Sequence, residues 1–74
     1  MALEAIINRE GAYRVVLEEY PEGVYVLLFD TPDAAWPCKD NLQNDWAMAK
    51  RVAQHRYGIA DDGWREIPDT RFNG

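Results

Sequence analysis

Apolar residues recur along this chain with two different periods, and the switch between them falls near residue 40. Leu3, Ala5 and Ile7 alternate with other residues, as do Tyr13, Val15 and Leu17 against Arg14 and Glu18. That period of two is the pattern of a strand with one buried face. Val24-Tyr25-Val26-Leu27-Leu28-Phe29 is apolar at every position, so both of its faces should be at least partly covered. Leu42, Trp46, Ala49, Ala53 and Tyr57 then recur at steps of four, three, four and four, which places them on one helical face flanked by Val52.

Turn residues punctuate these runs. Asn8-Arg9-Glu10-Gly11 and Tyr20-Pro21-Glu22-Gly23 each end in glycine, the pattern of a type I turn followed by a left-handed residue. Pro21 presets φ at the second turn position. Three strands over about 2–7, 12–20 and 24–30 should therefore form a meander, with the first also readable as the start of a short helix. Pro32 and Pro37 keep residues 30–39 irregular. Asp40 or Asn41 is the expected cap of a helix over 41–57. Gly58 stops that helix, and Ile59 folds back on its last turn as in a Schellman cap. Asp61-Asp62-Gly63 makes a turn, Trp64 to Ile67 reads as a short edge strand or an extended arm, and residues 68–74 as a frayed tail. The expected architecture is α+β: a three-stranded antiparallel meander (β-β-β) packed on one α-helix in the C-terminal half, with a short extended arm, all in one domain spanning 1–74.

Charge is distributed unevenly. The net charge is -5. The first 40 residues hold eight acids and three bases, and the remaining 34 hold five of each. An acidic chain is repelled by phosphate backbones and anionic lipid. The single cysteine, Cys38, makes no internal disulfide. Met1 to Ile7 lacks a basic start, and no apolar stretch approaches the roughly 20 residues of a membrane span. These features together predict a reduced, cytoplasmic setting without a membrane. The stretch from Leu42 to Trp64 is similar in character to short bacterial proteins.

Candidate chemistry is sparse. Cys38 just ahead of a helix, with Lys39 beside it, would have an activated thiol, the basis for reading the chain as a small enzyme or redox protein. Trp36-Pro37-Cys38-Lys39 resembles the active-site turn of thioredoxin-like proteins over four residues. The second cysteine of that motif is missing and the chain is too short for that fold, so no role carries over. His55 is the only histidine and has no evident orienting partner or co-ligands. The carboxylates match no calcium loop, and neither a glycine-rich phosphate loop nor a Gly-x-Ser-x-Gly elbow is present. No cofactor or metal is implied.

Lys50, Arg51, His55 and Arg56 give the helix a basic side. Three strands followed by a helix is an arrangement found in some small DNA-binding domains, which makes these four residues a candidate nucleic-acid surface. Glu4, Glu10, Glu18, Glu19 and Glu22 on the strands argue against it.

The surplus aromatics carry a stronger expectation. One helix covers one face of a three-stranded sheet, yet Tyr25, Leu27 and Phe29 face the other side. Trp36 and Trp64 have no place on the helical face, and they either fold over the second sheet face or stand out as contacts. The sequence therefore points to a small non-catalytic interaction module, an adaptor, regulator or acidic inhibitor. It would bind another protein, or a second copy of itself as a homodimer, through Trp36, Trp64, Tyr25 and Phe29 on a sheet face or edge.

Overall fold

A computed structural model describes residues 1–70 of the chain. The fold is α+β, with five antiparallel strands and one helix. Strands β1 (Ala2–Arg9), β2 (Ala12–Tyr20) and β3 (Gly23–Phe29) form the expected meander. Two further strands extend it: β4 (Lys39–Gln43) beyond β3, and β5 (Arg65–Ile67) beyond β1, giving the order β4-β3-β2-β1-β5. Residues 2–7 are strand, which settles the choice between strand and helix, and Trp64 leads into an edge strand.

Both hairpins close where the glycines fall. In the first, Arg9 pairs with Ala12 around Glu10-Gly11, and Gly11 has φ 75°. Asn8 is also left-handed, at φ 49°, and the register between Ile6 and Arg9 is bulged. Asparagine tolerates that conformation better than most residues. In the second, Tyr20 pairs with Gly23 around Pro21-Glu22. Gly23 has φ 149°, and a Cβ there would come under 3.0 Å from the Gln43 carbonyl oxygen. The backbone of β4 approaches so closely that only glycine fits.

The helix α1 runs Trp46–Tyr57, not 41–57. Residues 39–43 are instead paired along β3, from Val24↔Gln43 to Leu28↔Lys39. The cap is Asp45 rather than Asp40 or Asn41: its backbone is extended (φ -156°, ψ 178°) and its side chain accepts from the Met48 N–H at 2.9 Å. Leu42 matches the helical spacing by coincidence and is 46% exposed in β4. What overrides the pattern is the edge of β3. Its unpaired backbone groups offer ladder bonds to any adjacent segment, even one as polar as Lys-Asp-Asn-Leu-Gln. α1 ends at Gly58 as expected, but the cap is of the αL form rather than a Schellman motif: Gly58 is left-handed (φ 69°) and its N–H bonds the Gln54 carbonyl at 2.9 Å, while Ile59 is buried.

The two sheet faces divide the apolar residues as their alternation requires. Ala5, Val15, Leu17, Val24, Val26 and Leu28 pack under Ala49 and Ala53 of α1, with Trp46, Val52, Tyr57 and Trp64 around them. On the second face Ala2, Val16, Leu27 and Phe29 form a smaller cluster with Tyr25, Ala34 and Ile67 packed on it. Described residues of the expected tail are tied down: the Met1 ammonium pairs with Asp69 at 2.5 Å, and the Thr70 N–H donates to Glu18 at 3.1 Å. Residues 71–74 of that tail lie outside the described residues.

Candidate interaction surface

Cross-strand register arranges the second face in rows. One runs Ile67–Ala2–Glu18–Tyr25–Leu42, the next Arg65–Glu4–Val16–Leu27–Asp40, and the third Ile6–Arg14–Phe29. Each row mixes apolar and charged side chains, which is why the cover here differs from that on the helix face.

Glu4, 7% exposed, receives Arg14 at 2.7 Å on one oxygen and Arg65 at 2.5 Å on the other. The Arg14 guanidinium also lies over the Phe29 ring, 4.1 Å from its centroid. Burial works to raise the Glu4 carboxyl, but hydrogen bonds and charge from the two arginines outweigh it and hold the group below its ordinary range. Glu18, 1% exposed, accepts from the Thr70 N–H and hydroxyl and from Tyr20. Tyr20 and Tyr25 meet edge to face at 5.4 Å. Tyr25 donates to Glu22, and desolvation followed by that carboxylate raises its phenol.

The four aromatic candidates therefore do not form one patch. Phe29 is fully buried and presents no surface. Tyr25 is half-buried. Trp64 packs on the helix-side core, and among the described residues its buried indole N–H has no hydrogen-bond partner. Trp36 is 71% exposed on the β3–β4 loop. The loop's covering residue is Ala34, not the tryptophan.

Exposed apolar residues also occur along the chain at β4, an edge strand of the sheet: Trp36 precedes it, and Leu42 lies within it beside Tyr25 in the register. Asp30 and Asp33 on the preceding loop and Lys39 and Asp40 of β4 are exposed as well. Sequence reasoning missed Leu42 here because it assigned that residue to the helical face, and no period-two signal marks a five-residue polar strand.

The remaining candidates stand apart. Cys38 is exposed, and its N–H bonds the Leu28 carbonyl at 2.8 Å as the chain enters β4. It is eight residues ahead of the first residue of α1, Trp46, so the helix end expected to activate its thiol is not beside it in sequence. His55, Arg51 and Arg56 are exposed on α1 and Lys50 is half-buried. No group of three or more His, Cys, Asp or Glu among the described residues is placed to hold a metal ion, and no described helix is long and apolar enough to cross a membrane. No family model, curated protein or solved structure matches the chain.

Proposed function

We propose that this chain is a small non-catalytic interaction module, and that it binds a protein partner along β4 with Trp36 as the anchor. The exposure of Trp36 on a carboxylate-bearing loop carries this reading. A large indole in water at 71% exposure costs free energy that burial in a partner recovers. Leu42 supplies a second apolar contact at the other end of β4. The open strand edge offers backbone hydrogen bonds between them. Asp30, Asp33 and Asp40 favour a partner with a basic rim, in the manner of an acidic adaptor or inhibitor. A second copy of the chain is a poorer fit, because it would bring the same carboxylates together.

The test is capture from the host's lysate with the wild-type chain and with a Trp36→Ala/Leu42→Ser variant, at low and high salt, followed by amide hydrogen exchange on the captured complex. The expected partner protects residues 36–43, is lost with the variant and weakens with salt. Protection confined to other surfaces, or undiminished capture by the variant, would refute it. Trp64→Ala is unsuitable for this purpose. It removes core packing at a cost of up to about 3–5 kcal/mol, so lost binding would report lost fold.

The basic side of α1 supports nucleic-acid binding as a second reading. It rests on Lys50, Arg51, His55 and Arg56, and it predicts that nucleic acid rather than protein is retained. A redox or catalytic role for Cys38 has weaker support, given its distance in sequence from the helix end.

A further inference from the structure

The twelve residues of α1 include Lys50, Arg51 and Arg56 and not one Asp or Glu, in a chain that holds 13 acids. A solvated surface helix commonly interleaves opposite charges at steps of three and four, and this one does not. None of its cations forms an ion pair among the described residues. Trp46, Lys50 and Gln54 follow one another at steps of four along one stripe, with Ala47 and Arg51 forming the next. Together with Asp61, from the turn after Gly58, they line an open depression of about 510 Å³. That volume is in the range of small-molecule sites. Its lining holds two cationic side chains against one carboxylate, the reverse of the whole chain's balance. An aromatic ring and a side-chain amide complete it.

We propose that this depression binds a small phosphorylated heterocycle of nucleotide size. Its phosphate would pair with Lys50 and Arg51, as charge-assisted hydrogen bonds to such groups do. The ring would lie against Trp46, since stacking on an indole is indifferent to which heterocycle is offered. Asp61 would accept from a hydroxyl or amino group of the ligand, and it disfavours ligands that are anionic throughout. This site is on the helix side of the sheet and is independent of the β4 reading.

The test is a nitrogen–proton NMR titration of the whole chain with adenosine monophosphate, run beside adenosine, inorganic phosphate and a ten-nucleotide single strand. The expected result is saturable shifts at the Trp46 indole, Lys50, Arg51 and Gln54, with tighter binding of the nucleotide than of either fragment. Lys50→Gln with Arg51→Gln should weaken binding by about tenfold while spectra of the strands stay unchanged. Trp46→Phe should reduce the preference for the nucleotide over phosphate. Nucleotide binding no tighter than phosphate, or unaffected by the paired glutamines, overturns the proposal. Binding of the single strand across His55 and Arg56 without binding of the mononucleotide also overturns it, in favour of a nucleic-acid surface.

Discussion

Gly23→Ala tests the least expected feature of the fold, the docking of a polar strand against a glycine. Two costs act there. The backbone at φ 149° is outside the range that a Cβ tolerates, a strain of about 1–3 kcal/mol. The added Cβ would also meet the Gln43 carbonyl oxygen under 3.0 Å, with Leu42 Cδ1 at 3.1 Å and the Gln43 carbonyl carbon at 3.3 Å. The leucine side chain can move, but the carbonyl belongs to the ladder between β3 and β4. Relieving the clash means breaking the Val24↔Gln43 end of that ladder, at roughly 1 kcal/mol per hydrogen bond, and exposing part of Val24. The sum is about 2–5 kcal/mol. A domain of this length holds only about 4–11 kcal/mol in total, so the substitution should remove a large share of its stability.

Gly11→Ala separates the two costs. Gly11 is also left-handed, at φ 75°, but a Cβ there meets nothing within 4 Å. Only strain remains, about 1–2 kcal/mol. Urea unfolding followed by tryptophan fluorescence measures both variants, and hydrogen exchange shows where each one loosens. Gly23→Ala should lose at least about 1 kcal/mol more than Gly11→Ala and should lose protection first at residues 39–43. Equal losses, or full protection of β4, would mean that β4 does not sit on Gly23 as described.

Asp45→Ala should cost about 1 kcal/mol in thermal or urea unfolding through loss of the helix cap, whereas Asp40→Ala should stay within about 0.5 kcal/mol; the reverse order would restore the longer helix. Glu4→Gln should cost about 1–3 kcal/mol at neutral pH, because it weakens two charge-assisted bonds to Arg14 and Arg65 on a buried group. A carboxyl held below its ordinary value contributes stability above that value and loses it as pH falls through the folded value. The gap between wild type and Glu4→Gln should therefore be full above about pH 4.5 and narrow on further acidification, and a gap that widened as pH fell below that value would refute the assignment.

The legible parts of this fold are those where local chemistry and tertiary packing agree. Alternation in β2 and the all-apolar run of β3 sorted residues correctly onto two faces, and Gly58 ended the helix where a left-handed residue was needed. The start of the helix was misread because Leu42 and Asp40-Asn41 satisfied the helical rules locally, while the deciding influence, the open edge of β3, is a tertiary one. The cover of the second face was hidden for a related reason. It comes from small and polar groups, Ala34 and Thr70, and from arginines paired to Glu4, none of which carries a hydrophobic signal. Trp36, the residue that hydrophobicity would send inward, is left outside.

That inversion bears on function. The two edges of the sheet are unequal. β5 is three residues long and carries Arg65 and Glu66, a short charged edge that resists pairing with another chain. β4 is longer, and Lys39, Asp40 and Asn41 make its own side chains equally uninviting to indiscriminate pairing. What distinguishes it is the exposed Trp36 that precedes it and the exposed Leu42 within it. A polar strand between two apolar anchors discourages casual aggregation yet rewards a partner that offers pockets at the matching spacing. On the proposed reading Trp36→Ala should abolish specific capture, whereas replacing Asp40 should alter the rate and salt dependence of association more than its lifetime. Surface-plasmon measurements on a captured partner would distinguish these effects. A loss of dissociation lifetime from Asp40→Ala equal to that from Trp36→Ala would show that charge, not the indole, holds the complex.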